Sequence, residues 1–481
     1  MSSIKKNFLY SSILTTANYI FPLLTFPYVS RVLGVTNIGI CNFIDSIINY
    51  FCLFSTMGIG VLGIREVAKC KNSKNDLNVA FNTLFAINTV TTFIVFVLLI
   101  IATSYINQLR QHWHLMAIGA LKLIMNYMLI EWLYKGLEEF KFVTQRTIIV
   151  KLFYVLSVFI FIKNGDDYQI YYFLTVMMVV INALINILYS RKYVKYDFKQ
   201  LKINEYIKPY FVLGIWLLLT SMYTSFNTTY LGFVAGETEV GYYSTSAKLY
   251  KIVIALFTAF TGVMLPKISN MLSQNKIEEF KLLLLKSNKI LILFSIPVIY
   301  FAVLYAPTII FIIAGKGYEG AIIPMRIMML LIFIIGYEQI LVLQALTPLG
   351  KDKAILWTSI IGASVGILLN LILVSTYKSV GSAITWFFSE IFVLISAQYF
   401  TNKYIGHHFP WKELFSNLLL SLPCAVLFLI NVLYIPNRYL SIIISSILLL
   451  FFMAYRYINL FYSGKNKDFW SQIESFRRNI V

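Results

Sequence analysis

The sequence predicts an all-α protein that crosses a lipid bilayer many times, and three observations predict it. About fourteen stretches of roughly 20 apolar residues run through the chain, and a helix needs about 20 such residues to cross the hydrocarbon core. Asp, Glu, Lys and Arg make up only 13% of the 481 residues, and the mean hydropathy is +0.75, more apolar surface than a soluble core could bury. The short polar links alternate between basic and nearly charge-free. Lipid offers no partner to unpaired backbone groups, so the spans must be helices.

In chain order the expected spans are 9–30, 40–62, 81–103, 114–134, 148–163, 169–189, 208–234, 242–265, 290–314, 324–348, 354–375, 379–401, 414–435 and 439–461. Twelve is the alternative count, because only Ile435-Pro436-Asn437-Arg438 separates the last two. The spans group into a six-helix bundle at 1–190, a linker at 191–207, a second six-helix bundle at 208–402, and two further helices with a basic tail at 403–481. The linker region carries Arg191, Lys192, Lys195, Lys199 and Lys202.

The formal net charge of +19 invites a nucleic-acid reading, which the positions of the charges oppose. With the N-terminus in the cytoplasm, 29 Lys and Arg fall on that side and six on the other: Arg31, Arg110, Lys163, Lys316, Lys378 and Arg438. This is the positive-inside rule, and it orients both termini to the cytoplasm. A nucleic-acid surface would gather its charge on one folded face. Cys41, Cys52, Cys70 and Cys424 form no CxxC pair, so no zinc site or disulfide framework is expected. The first apolar run is full length and lacks a cleavage-like end, so it is expected to be retained.

The two halves carry a weak repeat. Gly34 and Gly39 recur as Gly236 and Gly241, each pair at the first hairpin of its half and each offset by 202 residues. Parallel repeats occur in transporters that rock two bundles about a midplane site. Gly58-Ile59-Gly60-Val61-Leu62-Gly63 and Gly315-Lys316-Gly317-Tyr318-Glu319-Gly320 match GxGxxG. Neither follows a strand in a βαβ unit, so neither predicts a nucleotide. The loops are too short for a soluble domain, and no cofactor or metal ligand set is evident.

Ionisable residues inside spans are the functional candidates, since burying them in lipid is costly. The acids are Asp45, Glu131, Glu338 and Glu390; the bases are Lys122, Lys248, Lys251 and Arg326. Arg326 and Glu131 lie near span ends, where a side chain can snorkel to the headgroups. Lys122 sits about halfway down its span. Lys248 and Lys251 share a helix face, which points to a water-filled cavity or a polyanionic ligand. By the repeat offset they align with Ser46 and Asn49, next to Asp45, and the two sets of residues are expected to line a common polar path.

The segment Pro22-Leu23-Leu24-Thr25-Phe26-Pro27-Tyr28-Val29-Ser30-Arg31-Val32-Leu33-Gly34, followed by Ile38-Gly39, resembles the opening of Wzx-type polysaccharide flippases. So do Gly63-Ile64-Arg65-Glu66-Val67-Ala68, Leu265-Pro266-Lys267-Ile268-Ser269, Asn370-Leu371, and Val380-Gly381-Ser382-Ala383-Ile384-Thr385 with Glu390. Ser375 and Lys135-Gly136 depart from the pattern, where proline and Gln-Gly are common. The resemblance implies the multidrug/oligosaccharidyl-lipid/polysaccharide exporter superfamily. It implies a flippase that moves oligosaccharide on undecaprenyl pyrophosphate to the periplasmic leaflet of the bacterial inner membrane, for O-antigen or capsule assembly.

On that reading Lys248, Lys251, Arg31, Lys122 and Arg326 are the substrate-binding candidates, the cations compensating a pyrophosphate. Asp45, Glu131 and Glu338 are the candidates for coupling to H+ or Na+, with Asp45 favoured for its place opposite the lysines. Polymerase and chain-length proteins of the assembly pathway are expected partners, and nucleic acid is not. Three readings compete: a cation-coupled exporter of small cationic molecules, a membrane-embedded polymerase or glycosyltransferase, and a scaffold without transport. The intramembrane lysines oppose the first and the short extracytoplasmic loops oppose the second.

Overall fold

The computed structural model describes residues 2–462; most of the basic tail lies outside the described residues. Among these the chain is almost entirely helical, with no strand, as an environment without backbone partners demands. The helices are α1 (Ser2–Thr56), α2 (Ile59–Cys70), α3 (Lys74–Tyr105), α4 (Asn107–Gln111), α5 (Trp113–Asn126), α6 (Glu131–Gly136), α7 (Phe140–Phe161) and α8 (Tyr168–Ser190). After an irregular linker follow α9 (Ile203–Thr224), α10 (Phe226–Ala235), α11 (Glu237–Ser273), α12 (Ile277–Leu304), α13 (Ala306–Ile313), α14 (Ile322–Gln339), α15 (Asp352–Ile405), α16 (Trp411–Tyr434) and α17 (Arg438–Tyr462).

By length and apolar composition the described residues hold eleven candidate spans, or twelve if the 52° bend between α9 and α10 lies within one span. Fourteen were expected, and the difference has a physical source. The 55 residues of α1 would extend about 80 Å, far beyond the ~30 Å hydrocarbon core. α1 contains non-helical backbone at Gly34 (φ 75°, ψ 170°), and the 54-residue α15 contains it at Lys378 (φ 51°, ψ −126°). Each is two helices joined at a kink, so a run counted as one candidate span holds two helical segments.

The chain forms two compact units, each discontinuous in sequence. The first comprises Met1–Thr245, Ile313–Gly320 and Ala363–Trp386; the second comprises Ser246–Ile312, Ala321–Gly362 and Phe387–Val481. Within the first, Leu62, Val67, Phe81, Trp132 and Tyr134 belong to one buried cluster. The segment that begins at Gly63 builds it. A Cβ on Gly63 would lie 2.5 Å from the Trp132 ring, and one on Gly136 would lie 2.7 Å from Val67. Glycine at these two places lets α2 and α6 close on each other.

The four repeat glycines do two different jobs. Gly34 and Gly236 adopt nearly the same backbone, φ 75° and ψ 170° against φ 87° and ψ 174°, in a region open to little but glycine. Gly39 and Gly241 permit close approach. A Cβ on Gly39 would lie 1.8 Å from the Glu237 carbonyl oxygen, and one on Gly241 would lie 2.3 Å from that of Val35. The two hairpins therefore pack reciprocally. Thr36 Oγ1 lies 2.9 Å from Thr238 Oγ1, and Asn42 Nδ2 donates to Ser244 Oγ at 2.9 Å. Both pairs are separated by the repeat offset of 202 residues. Equivalent residues meet each other only beside a symmetry axis, so a local two-fold runs through this contact.

In the second unit α12 packs against α14, α16 and α17. Polar bonds tie the later segments to it, the usual glue where lipid removes the hydrophobic drive between helices. The buried Tyr305 hydroxyl lies 2.7 Å from both Ser441 Oγ and Ser445 Oγ. Asn288 Nδ2 lies 3.0 Å from His407 Nε2, and burial, with His408 beside it, holds His407 below the usual histidine range. Tyr337 donates to Gln398 Oε1 at 2.7 Å.

Gly39→Ala and Gly241→Ala should each lower the melting temperature of the purified protein, because the added methyl meets backbone carbonyl rather than a movable side chain; the expected cost is about 1–3 kcal/mol. Gly60→Ala, at a glycine whose Cβ would meet nothing within 4 Å, is the control. A Gly39→Ala protein as stable as that control would refute the close-packed hairpin.

Candidate functional site

The kink at Gly34 redirects the second half of α1, which carries Asp45 and Asn49 one turn apart. α5 packs beside it and carries Lys122. Lys122 Nζ donates to Asp45 Oδ1 at 2.6 Å and to Asn49 Oδ1 at 2.8 Å, while Asn49 Nδ2 donates to Asp45 Oδ2 at 3.0 Å. Only 12% of the lysine side chain and 28% of the aspartate are exposed. Lys122 and Asp45 thus compensate each other within the first unit. Ser46, its neighbour, accepts from Thr229 Oγ1 at 2.9 Å.

Glu131 sits at a break. Ile130 has φ 36° and ψ 30°, a strained conformation for a β-branched residue, between α5 and α6. Glu131 accepts from the buried Arg146 Nη2 at 2.8 Å and from Lys135 Nζ at 3.0 Å. Arg146 also donates to Asn186 Oδ1, Asn186 Nδ2 donates to the Leu129 carbonyl, and Tyr134 donates to the Asn186 carbonyl. This network satisfies the backbone freed by the break, a sufficient structural reason for the glutamate.

The remaining candidate cations differ in setting. On α11, Lys248 is half-buried and Lys251 exposed; Lys251 makes no ion pair among the described residues. Arg326, exposed at the start of α14, donates from Nε to the Val303 carbonyl at 3.1 Å. Arg31 is exposed and its side chain lies against Gly315, whose Cβ would meet Arg31 Cγ at 2.9 Å. Next to it, Tyr318 donates to the Ser30 carbonyl at 3.2 Å. Of the candidates in the first unit, the structure brings Asp45 and Lys122 together and leaves Glu131 in a network of its own.

Glu338 is the acid with a different neighbour. On the last turn of α14, it lies close to the buried Glu390 on α15, and it makes no ion pair among the described residues. Just beyond it the helix widens into a π turn, Ile340–Leu346, a form that recurs at functional sites. There the buried Gln344 amide has no hydrogen-bond partner among the described residues. Gln339 holds the turn to α11 by accepting from Thr261 Oγ1 at 2.9 Å. Among the described residues no group of His, Cys, Asp and Glu is disposed to hold a metal ion.

Two residues of structural weight, Asn227 and Glu239, carry no signal in the sequence. The buried Asn370 donates to the buried Asn227 Oδ1 at 2.7 Å. Glu239 accepts from the Ser379 backbone N–H at 3.2 Å, beside the Lys378 kink. Gly381 completes that corner, since a Cβ there would lie 2.6 Å from the Leu373 carbonyl oxygen.

Residues 4–272 match the family described as polysaccharide biosynthesis protein. The chain belongs to this family. A protein of Escherichia coli K12 named "Putative O-antigen transporter" is 25% identical over 394 residues, which are 81% of this chain and 95% of that one. A protein of the same name from Shigella dysenteriae is 25% identical over 395 residues, 81% and 98% of the two chains. Among solved structures, the lipid II flippase MurJ in an inward closed conformation is similar over 94% of this chain and 99% of its own, with TM-score 0.77 and 16% identity. An inward-facing transporter of the multidrug MATE family is similar over 84% and 94%, with TM-score 0.62 and 14% identity. The family member described here thus has a fold shared with both, a multi-pass membrane transporter fold.

The Asp45–Lys122 pair can be separated from transport by stability. Lys122→Met strands a carboxylate and should cost about 2 kcal/mol, less than the ~3–5 kcal/mol of a fully buried broken pair. Lys122→Met with Asp45→Asn should recover most of it, read as the melting temperature in detergent. An equal loss in the double variant would show that the two side chains act independently.

Proposed function

We propose that the protein flips lipid-linked oligosaccharide repeat units, carried on undecaprenyl pyrophosphate, from the cytoplasmic to the periplasmic leaflet of the bacterial inner membrane. Their destination is O-antigen or capsule. The observation that carries the reading is Lys251, a cation at membrane depth with no ion-pair partner among the described residues, in a chain of a polysaccharide biosynthesis family. A lysine facing lipid there costs about 2.5–3.5 kcal/mol on insertion scales. A water-filled path that admits a pyrophosphate relieves the cost and uses the charge, and Lys248 stands one turn away on the same helix. Arg31 and Arg326 are secondary contacts for the sugar phosphate.

The protein acts as a secondary transporter rather than an enzyme, with both termini cytoplasmic and two six-helix bundles, 1–190 and 208–402, moving about the linker at 191–207. Reporter fusions after residues 200 and 237 should read opposite faces of the membrane. Coupling is to a cation gradient. Asp45 and Glu131 each already hold a permanent cation in place. Glu338 lies near a second carboxyl, that of Glu390, and has no ion-pair partner among the described residues, so no fixed cation already holds its charge. The Glu338–Glu390 pair is therefore the best-placed carrier of a coupling proton, ahead of Asp45.

Lys248→Ala with Lys251→Ala should abolish surface polysaccharide in a flippase-deficient host while the protein stays in the membrane at normal level. Normal display would remove the pyrophosphate site. Glu338→Gln keeps shape and hydrogen bonding but cannot titrate. It should retain binding of the lipid-linked oligosaccharide and lose at least ten-fold in transport driven by a pH gradient across proteoliposomes. Unchanged gradient dependence would return the role to Asp45.

A further inference from the structure

Among α12, α16 and α17 of the second unit lies a cavity of about 650 Å³ that the transport reading does not use. Lys289, Lys412 and Arg456 line it, with Glu413 as its one acid and Asn417 and Asn459 beside them. Arg456 Nη2 donates to Asn417 Oδ1 at 2.6 Å, and Asn417 Nδ2 donates to the Glu413 backbone carbonyl at 2.7 Å. The arginine is thus held in place by a neutral amide, and its charge stays uncompensated. Neither Lys289 nor Lys412 makes an ion pair among the described residues. Three cations against one carboxylate make a concentrated positive site.

A second feature abuts the first. An apolar groove of about 490 Å³ is lined by Phe257, Phe260, Phe294, Met453 and Tyr457, and Leu293 borders both it and the cationic cavity. The combined shape is amphipathic, a charged pocket that opens onto a hydrocarbon channel. Lys412 is the second residue of α16 and Arg456 lies near the end of α17, so the cations stand at one end of the antiparallel pair. The loop charge pattern puts that end in the cytoplasmic leaflet. Only 17% of the apolar window of each of these two helices is buried, so the site opens toward the surrounding lipid.

We propose that this is a binding site for an anionic phospholipid of the cytoplasmic leaflet, its phosphate held by Lys289, Lys412 and Arg456 and an acyl chain lying in the groove. Basic pockets between membrane helices recognise such headgroups by charge. The phosphate is common to a bilayer lipid, to free phosphate and to the transported lipid; the groove favours a lipid. The outward position favours one drawn from the bilayer. This rests on the membrane orientation argued above and is independent of what the protein transports.

The test is native mass spectrometry of the full-length protein in detergent, titrated with dioleoyl phosphatidylglycerol, with dioleoyl phosphatidylcholine, and with inorganic phosphate. Phosphatidylglycerol should be retained preferentially. Lys289→Gln with Lys412→Gln should weaken it roughly 10–30-fold, at about 1 kcal/mol per basic residue. Ala454→Phe, which fills the groove without touching the charges, should weaken phosphatidylglycerol and leave inorganic phosphate binding unchanged. Equal retention of the two lipids, or a double variant that binds as wild type, overturns the proposal. Full displacement by millimolar inorganic phosphate would assign the pocket to a free anion. Displacement by equimolar undecaprenyl phosphate would assign it to the transported lipid, and either result also overturns it. If the double variant does not purify as a single species, Lys412→Gln alone carries the charge arm. Loss of polysaccharide display in the Lys248/Lys251 variant is unaffected by any of these outcomes.

Discussion

Hydrocarbon supplies no hydrogen-bond partner and no counter-charge, and this one constraint shapes every polar feature of the molecule. Where the helices break, at Ile130 for example, the freed carbonyl is taken by Asn186, which is in turn held by Arg146. Where a helix must turn sharply, glycine supplies the conformation at Gly34 and Gly236. Where two backbones must touch, glycine again removes the obstacle, at Gly39 and Gly241. Charges follow the same rule. Asp45 is neutralised by Lys122 and Glu131 by Arg146 and Lys135.

The constraint also separates what could be read from the sequence from what could not. Helical class, membrane location and the repeat were legible because they depend on local composition and fixed offsets. The recurrence of two glycines 202 residues apart was a faint signal in one dimension. In three dimensions it becomes a contact, since Thr36 meets Thr238 and Asn42 meets Ser244. The span count was less legible. The sequence divides the chain at both Gly34 and Lys378, whereas the structure runs helix up to each side of a single non-helical residue, so length alone does not say where one span ends.

Partnerships were not legible at all. Lys122 is 77 residues from Asp45, and no periodicity in either helix indicates that they meet. Glu131 lies near a span end, where a side chain can snorkel, but it pairs with Lys135 one turn along and with Arg146 on the next helix. Pairing is a tertiary property, and it changes what a charge can do. A carboxylate beside a fixed cation keeps its charge through a transport cycle, so it serves architecture better than coupling.

This distinction orders the intramembrane charges by physical role. A compensated pair adds little net field and can remain in lipid at modest cost, so its presence calls for no function. A cation such as Lys251, with no ion-pair partner among the described residues, carries a standing cost in lipid that a bound anion would lower. A carboxyl pair stores a proton instead of a charge, because the second ionisation must work against the first at short range. Glu338 and Glu390 are two carboxyls close together, and they lie beside the π turn. The π turn thus adjoins the one acid of α14, and the Gln344 amide there holds no hydrogen bond among the described residues that a rearrangement would have to break.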